Sequence, residues 1–199
     1  MKSIRSMQNN QLIQYLEAFG ALTLDDKLCL SENVNVKTYK TGDVFLQAGK
    51  IANQVGFITE GIFRYFFYDG QGNEITSYFM SENQFVTNVT SFNEYSFSSG
   101  SIAAETDCVV LMIDRQTWEL FATEIPSWNA IIAKITSKVL LEKTNFQRQL
   151  INQDAKSSYL SLLKTNPSII KRVPQTHIAS FLGITKFSLS RIRKQIVNE

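Results

Sequence analysis

Hydrophobic positions change their period twice along this chain. Leu12, Tyr15, Leu16, Phe19 and Leu22 recur at the spacing of one helical face. Asp25 and Asp26 then suit the first turn of a short following helix, where negative charge meets the positive end of the helix dipole. From Val34 the period shortens. Segments 44–46, 55–58, 62–68, 75–79 and 109–113 are rich in β-branched and aromatic residues. They are separated by Thr41-Gly42-Asp43, Gly49, Glu60-Gly61 and Asp69-Gly70-Gln71-Gly72-Asn73, the last being the strongest hairpin turn in the chain. Many short strands broken in this way predict an antiparallel sandwich or barrel. The stretch 81–100 leaves that pattern. Its run Thr87-Asn88-Val89-Thr90-Ser91-Phe92-Asn93-Glu94-Tyr95 has the hydroxyls and amides of a ligand-holding insertion, or of a long surface loop.

After Pro126 the helical period returns at Trp128, Ile131, Ile132, Ile135, Val139, Phe146 and Leu150. Ile132, Ile135, Val139 and Phe146 are spaced as a helix–helix seam, interrupted by Glu142 and Gln149. A helix packed only on its own β domain would show the same spacing. Asp154 opens a further helix through Tyr159, Leu160, Leu162 and Leu163. Asn166-Pro167 ends it, because the residue before proline avoids helical angles.

The last stretch reads as two short helices joined at Gly183. Ile178, Phe181 and Leu182 give the first an apolar face, and Leu189, Ile192 and Ile196 the second. Ala179 is small where the helices cross, and Gly183 stands where the turn needs a positive φ. Thr185 caps the second helix with its hydroxyl oxygen. That leaves Lys186, Phe187, Ser188, Ser190, Arg191 and Lys194 as candidates for its open face. Cations beside hydroxyls suit a DNA major groove. An ordinary helical hairpin with a solvated charged face also satisfies the spacing.

Charge separates these readings. The 199 residues carry a net charge of only +2, but residues 152–199 hold eight lysines and arginines against two carboxylates. That end is therefore +6 and the remainder −4, a basic module on an acidic body as expected of a nucleic-acid binder. With 44% hydrophobic residues a substantial core is possible. Cys29 and Cys108 are far apart and flanked by apolar residues, which suits reduced thiols in the cytoplasm. The single histidine, His177, leaves no catalytic set to assemble around a base and no cluster for a cupin-type metal site. The chain is thus read as a non-enzyme with no metal and no cofactor. No apolar run approaches the roughly 20 residues that span a membrane.

Lys40-Thr41-Gly42-Asp43, Gly49, Phe57-Ile58-Thr59-Glu60-Gly61 and Gly72-Asn73-Glu74 form one set of motifs. Tyr159-Leu160-Ser161-Leu162-Leu163, Ile178-Ala179-Ser180-Phe181-Leu182-Gly183-Ile184-Thr185 and Leu189-Ser190-Arg191-Ile192-Arg193-Lys194 form another. Together they resemble the catabolite activator (Crp/Fnr) family of bacterial regulators over nearly the whole chain. The resemblance implies an α+β fold. A cyclic-nucleotide-binding-type antiparallel β-roll, jelly-roll-like and preceded by helices, would fill 1–125, with a long dimerisation helix over 126–151. A helix-turn-helix DNA-binding domain would occupy 152–199. It further implies a cytoplasmic homodimer on double-stranded DNA, with RNA polymerase as a further partner.

Under that resemblance the DNA-binding residues are Thr185, Lys186, Phe187, Ser188, Ser190, Arg191 and Lys194, with base contacts from Lys186, Phe187 and Arg191. Phe187 stands where the family usually has an acidic or polar residue, so the usual target sequence does not carry over. In the sensor, Thr87 and Asn88 replace the Gly-Glu pair of cyclic-nucleotide binders, and Ser98 and Ser99 replace their Arg-Ser pair. A charge-assisted hydrogen bond is roughly twice as strong as a neutral one, so these are poor replacements. The expectation is a transcription regulator on an inverted-repeat operator, whose pocket persists without affinity for cAMP and whose effector is unidentified. The alternative is a small-ligand module acting through protein contacts.

Overall fold

The structure, a computed structural model, describes the backbone of residues 2–197 and the side chains of 7–148 and 153–196. Helix α1 (Lys2–Glu17) is followed by α2 (Leu24–Asn33). The second helix starts at Thr23 because a capping box forms there. The Thr23 hydroxyl accepts from the Asp26 amide at 3.1 Å, and the Asp26 carboxylate accepts from the Thr23 amide at 2.8 Å. Leu12, Leu16 and Leu30 then point inward from the pair.

Strands β1 (Asn35–Tyr39), β2 (Val44–Leu46), β3 (Gln54–Glu60), β4 (Phe63–Tyr68) and β5 (Glu74–Met80) follow, then β6 (Phe85–Val86), β7 (Ser101–Ala104) and β8 (Cys108–Asp114). Among the described residues they form two antiparallel four-stranded sheets, ordered β1-β8-β3-β6 and β2-β7-β4-β5. Phe45, Ile58, Phe63, Ile102 and Val110 fill the space between them. The β4–β5 hairpin closes where expected, with the Asp69 carboxylate accepting from the amides of Gln71 and Asn73. Gly61, between β3 and β4, has φ +103°, and a Cβ there would strike Cys108 Sγ and the Asp107 carbonyl. The segment 81–100, expected to depart from the strand pattern, holds β6 and the short helix α3 (Val89–Glu94).

Helices α4 (Arg115–Glu124) and α5 (Trp128–Asn152) return across the outer face of the β3–β8 sheet. There Phe57, Leu111, Ile113, Phe121, Trp128, Ile131 and Ile135 meet the leucines of α1 and α2. This corrects the seam expected at Ile132, Ile135, Val139 and Phe146. Ile135 is only 4% exposed within its own domain, Ile132 and Val139 pack beside it, and Phe146 stacks on Phe181 at 4.7 Å. The apolar stripe of a helix can face one surface, and here the β-roll and the C-terminal helices occupy it. Leu150 lies outside the described side chains. Among the described residues, the large apolar side chains that α5 leaves open are Leu140 and Leu141, 63% and 61% exposed.

The chain ends in α6 (Ala155–Thr165), α7 (Pro167–Arg172), α8 (Gln175–Phe181) and α9 (Lys186–Val197). Asn166-Pro167 does end α6, and Pro167 then opens α7, since a first helical turn has no use for the missing N–H.

Candidate nucleic-acid interface and ligand pocket

Helices α8 and α9 are held at their angle by a core of Ile178, Ala179, Phe181, Leu182, Leu189 and Ile192. Gly183 takes φ +67° between them, and the Thr185 hydroxyl accepts from the Ser188 amide at 3.1 Å, capping α9. With Leu189 and Ile192 turned inward, Thr185, Lys186, Phe187, Ser188, Arg191 and Lys194 are exposed and Ser190 is half-buried. One face therefore carries the seven residues expected there. No carboxylate lies on α8 or α9. Phe187 and Arg191 are four residues apart, and Lys194 follows three later, so the three form one stripe along the helix.

The expected ligand residues gather around a tyrosine. Asn88 caps α3 by accepting from the Ser91 amide, and its amide nitrogen donates to Ser98 Oγ at 2.9 Å. Ser98 Oγ in turn donates to the Gly100 carbonyl. From β4, the Tyr65 hydroxyl lies 2.9 Å from Ser99 Oγ and 3.5 Å from the Asn88 amide nitrogen. Its ring approaches so closely that a Cβ on Gly100 would fall within 2.9 Å of the phenol. Asn88, Ser98 and Ser99 are thus brought together but spend their hydrogen bonds within the protein, on Ser91, Gly100 and Tyr65 and between Asn88 and Ser98. Thr87 is not part of this group and donates to the Gln54 carbonyl. A cavity of about 290 Å³ lies beside it, lined by Phe45, Leu46, Ile51, Ala52, Asn53 and Gln54, and none of the four expected residues lines it.

A third cluster joins the two parts of the molecule. Outward from β4, the Arg64 side chain is 5% exposed; its Nε meets Glu105 at 2.5 Å and its Nη2 meets Glu74 at 2.7 Å. The other Glu105 oxygen is 2.7 Å from Nδ1 of His177 on α8. Ser180 of α8 accepts from the Thr76 amide and donates to the Glu74 carbonyl, acting as an extra partner at the β5 edge. Phe79 and Phe181 meet edge to face at 5.1 Å, and Arg172 pairs with Glu82 at 2.6 Å. Burial pushes the carboxyls of Glu74, Glu82 and Glu105 up. Hydrogen bonds and charge from Arg64, Arg172 and His177 more than reverse this, leaving all three below the ordinary glutamate value.

The fold as a whole has counterparts elsewhere. A family model described as cyclic nucleotide-binding domain matches residues 36–124. No curated protein sequence matches the chain. Among solved structures it is similar to CLP, a c-di-GMP responsive global regulator of Xanthomonas campestris. That match has a TM-score of 0.68 at 18% identity, covering 88% of this chain and 92% of that one. FixK2 from Bradyrhizobium japonicum gives 0.68 at 15% identity over 83% and 85%. A protein from Eubacterium rectale assigned to the Crp/Fnr family of transcriptional regulators gives 0.67 at 17% identity over 89% and 85%. The chain has the Crp/Fnr fold.

Within the Crp/Fnr fold this chain has two features that its sequence did not announce. In the sequence Tyr65 is only part of a strand, because nothing local places a strand residue against a loop more than thirty positions later. The Arg64–Glu105–His177 cluster was equally hidden. Its one signal is the run Phe63-Arg64-Tyr65-Phe66-Phe67-Tyr68, aromatic on both faces and so in need of cover on both.

Proposed function

We propose that this protein is a homodimeric, DNA-binding transcription regulator that reads an inverted-repeat operator through α9. The observation that carries the reading is the exposed face of α9: three cations, two hydroxyls and a phenyl ring, with no carboxylate on either helix of the pair. Arg191 is assigned to a base edge, where its planar fork matches guanine O6 and N7. Thr185, Lys186, Ser188, Ser190 and Lys194 complete the contact, with Lys194 on phosphate. The working division is a sensor over 1–125, a dimerisation helix over 126–151 and a helix-turn-helix domain over 152–199. Leu140 and Leu141 offer α5 an apolar strip for a second copy. Two α9 helices would then lie about 34 Å apart, matching half-sites one helical turn apart. In this reading the protein works in the cytoplasm with RNA polymerase as a further partner.

The sensor is proposed not to take cAMP. Tyr65 engages Ser99 and Asn88, which stand where the resemblance expects a phosphate to be held, and the hydroxyls and amide around it bring no cation. Any effector would be a less anionic molecule.

The test is selection of bound duplexes from a random pool, followed by titration of the recovered site. An inverted repeat should emerge. Arg191→Ala should cost about 1–3 kcal/mol on that site and relax preference at one base pair per half-site. Equal weakening on scrambled DNA would make Arg191 a phosphate contact, and a parent protein without sequence preference would overturn the reading.

A further inference from the structure

Phe187 is 82% exposed, more than any other large apolar side chain among the described residues. It makes no aromatic contact there, and it stands at the second position of α9, two residues after the Thr185 cap. Its neighbours on the open face are Lys186, Ser188 and Arg191, so the ring is an apolar tip on a cationic surface. A phenyl ring left in water contributes nothing to folding, and nothing in the helical pair requires it: the α8–α9 core is complete without it.

We infer that Phe187 is a specificity-determining residue that packs against the C5 methyl of a thymine in each half-site; the inference rests on the DNA-binding reading above. The chemistry leaves one candidate. A benzyl side chain has neither donor nor acceptor, so it cannot satisfy the polar edges of guanine, adenine or cytosine. In unmodified DNA the thymine methyl is the one apolar group that the major groove presents. A second copy or an apolar protein partner is a poorer occupant, because Lys186, Arg191 and Lys194 surround the ring with unopposed positive charge. The stripe geometry places the two contacts together: Phe187 and Arg191 lie one helical turn apart on the same face, so the thymine should fall in the same half-site as the guanine that Arg191 reads.

The experiment uses the full chain and the selected operator, with deoxyuridine replacing thymine one position at a time. This removes the methyl group and leaves every hydrogen-bonding atom in place. At one position per half-site the affinity should fall about fourfold, and about fifteenfold when both half-sites are changed, as expected for one buried methyl each. Phe187→Ala should bind the thymine and deoxyuridine operators equally, whereas Phe187→Leu, still apolar, should retain part of the discrimination. Circular dichroism should be unchanged in both variants, since the side chain is outside the core. If every deoxyuridine operator binds the parent like thymine, the inference is wrong while the DNA-binding reading stands. If Phe187→Ala keeps the full preference for thymine, another residue reads the methyl. If the parent selects no sequence at all, both fall together.

Discussion

Replacing Glu105 with alanine would strand a buried cation at the junction between the β-roll and the C-terminal helices. Arg64 is 5% exposed and is held by two carboxylates, of which Glu105 is as buried as the arginine while Glu74 is 37% exposed. Glu74 alone cannot replace the lost partner, because it is partly open to water, which screens its charge. Removing one member of a buried ion pair costs about 3–5 kcal/mol, chiefly for the charge left behind. Glu105→Gln keeps the shape and one acceptor, so it should cost about 1.5–3 kcal/mol, the range for a hydrogen bond to a charged group. His177→Ala deletes a contact from a side chain that is 30% exposed and should cost about 1 kcal/mol. The pair shares Glu105, so the double variant should cost less than the sum of the singles. Urea unfolding followed by the fluorescence of Trp118 and Trp128 reports stability of the β-roll side. Exchange of the Thr76 amide, which donates to Ser180, reports the junction itself. The sign with pH follows from the carboxyls. Glu74, Glu82 and Glu105 sit below their ordinary values when folded, so their contribution is complete above about pH 4.3 and is lost as pH falls through the folded values. Thr76 protection should therefore fall in acid below that point. Should Glu105→Ala cost under about 1 kcal/mol, or leave Thr76 exchange unaltered, the cluster does not hold the two parts together.

Two further outcomes test the proposed sensor and the proposed dimer. Tyr65→Phe should lose about 0.5–1.5 kcal/mol for the contacts to Ser99 and Asn88, and calorimetry should still detect no cAMP; low-micromolar binding by the parent or by Tyr65→Ala would refute the account of the pocket. Leu140→Glu combined with Leu141→Glu should give a folded monomer in sedimentation, because both side chains are exposed on α5; a dimer of unchanged stability would place the interface elsewhere.

Much of this protein follows from its sequence alone. Periodicity located the strand-rich middle and the helical ends, because a side chain's face depends on local geometry with period 2 or 3.6. The turn at Asp69, the stop at Asn166-Pro167 and the φ +67° at Gly183 are equally local, each decided by backbone chemistry within a few residues. The open face of α9 was legible for the same reason, since Leu189 and Ile192 leave only one side for Lys186, Phe187 and Arg191. Other elements escaped notice. Strand β1 is exposed at four of its five positions, and so lacks the alternation that marks a half-buried strand. Helix α7 has six residues, too few for a period to show.

What the tertiary structure decided was which surface each apolar or charged group meets. The spacing of Ile132, Ile135 and Val139 is the same whether a partner helix or the β-roll covers them; only the packing of α5 on α1, α4 and the β3–β8 sheet chose the latter. Tyr65 met Ser99 and Asn88 because β4 runs beside β7 and the loop before it. Arg64, Glu105 and His177, up to 113 positions apart in the chain, became one ion cluster only when α8 settled on the β5 edge. Pairings between distant residues depend on how whole elements dock, and no local propensity encodes them.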